Sequence, residues 1–297
     1  MAMTANSLRR PVAAFLGSAL GSALVLAALS VWAVGAHAQG ASPDSELELV
    51  DTKVLRVCVD PSNLPFSNEK GEGFENKLAE LLAAKLGEQL AYTFYPQSTG
   101  FVRNTLGSRR CDVIPGFPQG DELVQSTNPY YRTAYALVVR ADSGLTDVDS
   151  LGDKRIRDKR IGIVAGTPPS TYLTVFGEMK KARPYPLVVD TRVDSSAQAM
   201  IHDLETGEID AGVLWGPMAG YYARRANPPM HVALLLKESG GPPMTFRIAM
   251  GVRASDQNWK RRLNRLIAEN QAEITRLLTD FGVPLLDEQG QAVAPQK

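Results

Sequence analysis

Beyond residue 53 the chain alternates short apolar runs with stretches in which apolar side chains recur every three or four positions. Residues 54–59, Val-Leu-Arg-Val-Cys-Val, stop at Asp60-Pro61 and predict a buried parallel strand. Phe74, Leu78, Leu81, Leu82 and Leu86 keep helical spacing up to Gly87, so a helix over 74–86 closed by a glycine is expected. Residues 92–95 read as a second strand, 101–106 as a short helix, and 111–114 as a third strand ending in Pro115-Gly116. Strand, helix, strand, helix, strand is the doubly wound α/β pattern, which places ligands at the carboxyl ends of its strands.

The pattern restarts after Asn128-Pro129-Tyr130-Tyr131. Strands are expected at 134–139 and 160–164, with a turn of helix at 147–151. The second strand runs into Ala165-Gly166-Thr167-Pro168-Pro169, where Thr167 suits an N-cap and Pro168 the first helical position. The segment 187–190, a helix at 195–206 and a strand at 209–214 continue this half. A strand at 246–252 and one long helix at 257–281, stopped by Gly282, complete the chain. The fold class is therefore α/β, two doubly wound lobes joined by two hinge strands, with crossings near 131–134 and 244–247. Lobe 1 is expected from 52–131 plus 247–297, lobe 2 from 132–246, and 39–51 is a linker.

The first 38 residues follow a different logic. Arg9-Arg10, an apolar stretch over 12–34 and Ala36-His37-Ala38 read as a cleavable export signal, which implies a periplasmic protein that meets the membrane only through that leader. Charge is balanced, 32 basic against 32 acidic residues, so no bulk field draws the chain to nucleic acid. Cys58 and Cys111, both in the exported part, suit one disulfide on neighbouring strands; two buried thiols are the alternative. A monomer is expected.

Six stretches in register resemble the type II periplasmic solute-binding proteins of extracellular family 3. They are Leu55-Arg56-Val57-Cys58-Val59-Asp60 with Pro65-Phe66, Gly73-Phe74-Glu75-Asn76-Lys77-Leu78-Ala79, Cys111-Asp112-Val113-Ile114-Pro115-Gly116, Ser126-Thr127-Asn128-Pro129-Tyr130-Tyr131, Ile161-Gly162-Ile163-Val164-Ala165-Gly166-Thr167, and Gly207-Glu208-Ile209-Asp210-Ala211. The resemblance implies a ligand cleft between two hinged lobes and puts Asp60, Thr99, Gly116, Thr167 and Trp215 on it. Asn63, Phe101, Phe117, Gly120 and Tyr130 join them as cleft candidates.

Two departures matter. Amino-acid binders of this class clamp the α-carboxylate with an arginine eight residues before the Asp-Pro-Tyr-Tyr element, where this chain has Gly120; the carboxylate that holds the α-amino group is replaced by Trp215. An unpaired zwitterion in a closed cleft costs several kcal/mol per charge, so a free amino acid is excluded as ligand.

Finer similarity is to the MoxJ/XoxJ-type proteins of methylotrophs, carried by residues 57–68, by Gly73-Phe74-Glu75-Asn76-Lys77, and by Gly100-Phe101-Val102-Arg103-Asn104-Thr105-Leu106 leading to Arg110-Cys111-Asp112-Val113. That resemblance implies an accessory role toward a pyrroloquinoline quinone-dependent methanol dehydrogenase, by contact with the enzyme or through a small molecule connected with it. The competing expectation is a receptor delivering an uncharged or apolar solute to an ABC transporter.

Catalysis finds little support. His202 and His231 stand alone, and the chain lacks a Gly-x-Ser-x-Gly elbow, a His-Glu-x-x-His helix and a Cys-x-x-Cys pair, so no catalytic residue, metal or cofactor is assigned. Glu69, Glu72 and Glu75 fall in a loop and at a helix start, where negative charge is favoured anyway. Pro217, Met218, Tyr221, Tyr222, Pro228, Pro229 and Met230, together with Pro242, Pro243 and Met244, form a Pro/Met/Tyr-rich set that suits either an adaptable docking surface or plain packing and loop stiffening.

Overall fold

The structure, a computed structural model, describes residues 48–293, all within one unit of the chain that starts at Ser42. The expected leader therefore lies outside the described residues. In chain order the elements are β1 (Val54–Val59), β2 (Ser62–Asn63), β3 (Ser67–Asn68), α1 (Phe74–Leu86), β4 (Gln89–Phe94), α2 (Phe101–Asn104), β5 (Ile114–Pro118), β6 (Gln125–Ser126) and β7 (Tyr131–Val139). There follow β8 (Ile161–Val164), α3 (Pro168–Val175), β9 (Arg183–Tyr185), α4 (Ser196–Glu205), β10 (Ala211–Trp215), α5 (Gly216–Arg225), β11 (His231–Leu234), β12 (Thr245–Val252), α6 (Gln257–Glu269) and α7 (Gln271–Asp280).

Parallel β1 and β4 lie beside α1, whose Phe74, Leu78 and Leu82 fill one core together with Tyr131, Met250, Trp259, Leu263 and Ile274. Gly87 ends α1 in the left-handed region (φ 70°), which glycine adopts without the Cβ clash other residues meet. The larger sheet runs β5-β12-β7-β10-β8-β9. Strand β7 pairs antiparallel with β12 at its start (Thr133 with Phe246) and with β10 at its end (Val139 with Ala211). Its first residue, Tyr131, packs in the α1 core, while Leu137 and Val139 pack in a second core with Ile163, Leu173 and Val213. In the same way Met244, just before β12, belongs to the second core, and Ile248 to the first. These two strands are the crossings between the lobes.

Cys58 and Cys111 are bridged, with Cα atoms 5.6 Å apart, among Phe101, Leu106 and Ile114. Next to the bridge Asp112, 1% exposed, accepts from Arg56 Nε (2.7 Å) and Arg253 Nη2 (2.6 Å), while its carbonyl accepts from Trp259 Nε1 at 3.0 Å. Residues 112 and 113 make only a short parallel bridge to β1, so the regular strand expected at 111–114 starts at Ile114.

Other expectations need correction. Residues 147–151 are two turn ends around an irregular stretch at 148–150, and the helical geometry comes as a 3-10 turn at Lys154–Ile156 fixed by Asp153, which accepts from Arg155 N at 2.8 Å. The segment 187–190 carries no regular structure, its neighbouring strand being β9. The long C-terminal helix is broken at Asn270 (φ −117°, ψ 15°), whose side chain donates to the Leu266 carbonyl at 2.8 Å; a short amide of this kind competes with the helical ladder. Helix α5 and strand β11 were not foreseen. Pro217 and Tyr221, assigned to a possible docking set, pack inside, with Tyr221 stacked on Phe281 and beneath the Arg225 guanidinium.

Candidate functional site

A cavity of about 380 Å³ lies between the lobes. From one side come Asn63 and Phe66 around β2 and β3, Glu75 in the first turn of α1, and Gly116 and Phe117 on β5. From the other come Thr167 ahead of α3, Leu187, Thr191 and Asp194 between β9 and α4, and Met218 and Tyr222 on α5. The crossing strands add Tyr131, Tyr135, Phe246 and Ile248.

Trp215 stands at the carboxyl end of β10, where the chain turns into α5. Its ring meets Tyr135 (centroids 5.2 Å) and Phe246 (5.6 Å) edge to face, a favoured aromatic arrangement. The position that would carry an ammonium-binding carboxylate thus carries part of an apolar wall.

Asp60, at the end of β1, is fully buried behind the wall. Its carboxylate accepts from Ser62 N (2.8 Å), Gln97 N (2.6 Å) and Thr191 Oγ1 (2.7 Å). Thr191 lies on the opposite side of the cleft, and so does Tyr222, whose hydroxyl donates to the Leu64 carbonyl at 2.8 Å. Two hydrogen bonds therefore join the lobes across the cleft.

Glu75 is the feature the sequence reading misassigned. The residue is 2% exposed, lies on the cavity wall and, among the described residues, its side chain receives no hydrogen bond, those next to it going to Asn76 instead. Burial, and then the negative charge of Asp60, push its carboxyl up to about 8, so that at neutral pH it is mainly protonated. Burial foremost, with the Glu75 charge second, likewise raises the Tyr131 hydroxyl, and burial alone pushes Tyr135 up to about 12. Negative charge at a helix start accounts for an exposed glutamate, not for this one. The signal that would have found it is spacing: Glu75 shares a helical stripe with the buried Ala79 and Leu82, four and seven positions on.

Of the residues expected at the cleft, Asn63, Gly116, Phe117, Thr167 and Trp215 reach the cavity wall. Thr167 precedes α3 as expected, yet its hydroxyl donates back to the Val164 carbonyl at 2.6 Å and not to the helix. Five do not reach the wall. Asp60 is consumed by its three donors. Thr99 is exposed in a turn, and so is Gly120 (φ 88°), whose N–H donates to Ser126. Phe101 packs against the disulfide. Tyr130, just ahead of β7, is buried in the α1 core; Tyr131, the first residue of β7, packs in the same core and also reaches the cavity wall. Asp121, considered as an acid-base partner for Asp60, is absent from the cavity wall and accepts from Leu123 N at 2.9 Å. Both His202 and His231 are exposed.

No lysine, arginine or histidine among the described residues lines the cavity; its carboxyl side chains are Glu75 and Asp194. Among the described residues the wall carries no cationic side chain, and an acidic group enters it from α1.

Comparison with known proteins agrees with this architecture. The family described as bacterial extracellular solute-binding proteins, family 3, matches residues 55–281. Protein MoxJ of Methylorubrum extorquens is 28% identical over 294 residues, covering 94% of this chain and 97% of the relative. The crystal structure of periplasmic binding protein XoxJ from Methylobacterium extorquens AM1 superposes with a TM-score of 0.68 at 43% identity, over 79% of this chain and 100% of that one. MxaJ from Methlophaga aminisulfidivorans gives a TM-score of 0.68 at 26% identity, over 78% of this chain and 100% of the other.

Proposed function

We propose that this chain, which belongs to the bacterial extracellular solute-binding proteins, family 3, and within them to the MoxJ/XoxJ type, is a non-catalytic periplasmic accessory protein of a pyrroloquinoline quinone-dependent methanol dehydrogenase. The observation that carries the reading is the 43% identity to XoxJ over the whole of that chain. The cleft supports it from the physical side. A transport receptor for amino acids needs an arginine for the carboxylate and an acid for the amine, and this cavity holds no basic side chain among the described residues. Its aromatic wall of Phe66, Phe117, Tyr135, Trp215 and Phe246 has the apolar lining usual for small-molecule sites. The protein thus joins an accessory role with a binding cleft retained from the solute-binding fold.

The experiment is capture of the dehydrogenase from periplasm on the immobilised chain, followed by native mass spectrometry of the purified pair. The expected result is a defined complex. No complex at about 50 μM of each protein, together with tight binding of a solute that an ABC transporter imports, overturns the reading in favour of a transport receptor.

A further inference from the structure

Resting on the reading of the cleft as a binding site, we propose that it takes a small organic cation without a carboxylate, an alkyl- or arylammonium ion. The Glu75 carboxylate serves as counter-ion, and Phe66, Phe117, Tyr135 and Trp215 surround the guest. Three observations converge on that chemistry. The wall carries two carboxyl groups and, among the described residues, no basic side chain, and the nearby Arg192 is exposed and paired with Asp190 at 2.6 Å. Glu75 is almost wholly buried, faces the cavity and receives no hydrogen bond from the described residues, so its acceptor oxygens are left to a guest. The remaining wall is rich in aromatic rings, whose faces attract cations and repel anions. A guest bearing its own carboxylate would meet two acids and no base, which excludes amino acids on the geometry actually observed.

The groups that face Glu75 determine its proton balance. Asp60 approaches from the end of β1, and Tyr130 and Tyr131 from the start of β7. Neither β3 nor β5 brings a titratable side chain, Tyr92 on β4 donates to the Asn76 carbonyl, and Glu273 on α7 is paired with Lys85. No base stands ready to take the proton. When an ammonium ion binds, the protonated Glu75 carboxyl loses its proton to solvent and the ion pair forms: one cation enters and one proton leaves. Affinity then rises by about tenfold per pH unit below the Glu75 titration near 8.

The test is calorimetry of the protein with benzylammonium, tetramethylammonium and the neutral isostere benzyl alcohol between pH 6 and pH 8, in two buffers of different ionisation enthalpy. Both cations are expected to bind with proton release, more tightly at pH 8, and benzylammonium to exceed benzyl alcohol by at least about tenfold at pH 8. Glu75→Gln, which keeps the volume and the neutral form, is expected to lower cation affinity by at least about tenfold and to remove both the pH dependence and the proton release. Equal or tighter binding of benzyl alcohol assigns the site to neutral guests and overturns the proposal. So does cation binding that Glu75→Gln leaves unchanged, and so does the absence of heat with either cation at about 10 mM. Capture of the dehydrogenase is read in a separate assay, so the accessory reading and this assignment fail independently.

Discussion

The Glu75 carboxyl rests against the α-carbon of Gly116: a Cβ added at Gly116 would stand 2.1 Å from Glu75 Oε1. Helix α1 and strand β5 are thereby matched to each other inside the cleft wall. Gly116→Ala must displace the acid or the strand and is expected to destabilise the fold by about 1–3 kcal/mol. In a double-mutant cycle with Glu75→Ala, measured by chemical denaturation, the pair should lose less than the sum of the single variants. Strict additivity would show that the two residues do not touch.

Glu75 also sets a pH dependence. Its carboxyl is raised from 4.5 to about 8 in the folded protein, so between those values the native state holds a proton that the unfolded chain has lost. Stability from this group is complete below pH 4.5 and falls as pH rises toward 8, by at most about 1.4 kcal/mol per pH unit. Glu75→Gln should flatten that decline, and denaturant midpoints of the two proteins at pH 5 and pH 8 read the difference directly.

The Cys58–Cys111 bridge closes a span of 53 residues. Loop-closure entropy for that length corresponds to about 4 kcal/mol. The double variant Cys58→Ala with Cys111→Ala is expected to lose stability of that order, and thermal melting with and without reductant should reproduce the shift in the parent protein alone.

Asp112 and Arg155 separate buried from exposed ion pairs. Removing Asp112 leaves Arg56 and Arg253 without their shared carboxylate, and Asp112→Ala is expected to cost about 3–5 kcal/mol. Arg155→Ala breaks two pairs, with Asp147 and Asp153, on the solvent side and should change stability by less than about 1 kcal/mol. Urea unfolding of both variants gives the ranking, and a large Arg155 effect would contradict it.

Across the cleft, Thr191→Val and Tyr222→Phe each remove one of the hydrogen bonds to Asp60 and Leu64. Each is expected to cost about 1 kcal/mol of lobe-to-lobe contact. Small-angle scattering of the double variant should show a larger radius of gyration than the parent, whereas an unchanged value means that the hinge strands and the contacts of α5 with the C-terminal helix, Tyr221 on Phe281 and Arg224 with the Thr279 carbonyl, hold the lobes without these two bonds.

Much of this architecture was legible because apolar spacing reports burial. The strand 54–59 and the helix 74–86 follow directly from it, and the start of α3 follows from Thr167-Pro168, although the Thr167 side chain bonds back to Val164 and leaves the helix uncapped. The break at Asn270 was hidden, since the apolar stripe continues from Leu266 to Ile274 on both sides of it. The cleft was half legible. Trp215 and Phe117 announce themselves by position at the end of one strand and along another, but Tyr130 and Tyr131 are adjacent, both pack in the α1 core, and only the tertiary structure shows that Tyr131 also reaches the cavity. Glu75 escaped because a carboxylate in the first turn of a helix is ordinary, and only its stripe with Ala79 and Leu82 marks it as internal.

Cys58 precedes Asp60 by two residues, and Cys111 precedes Gly116 by five, so the covalent bridge anchors two of the segments that frame the cleft. Material produced in a reducing cytosol would arrive without that anchor, and its titrations would describe a looser chamber. Recombinant preparations therefore have to be checked by thiol counting before any failure to retain a guest or a protein client is attributed to the native molecule.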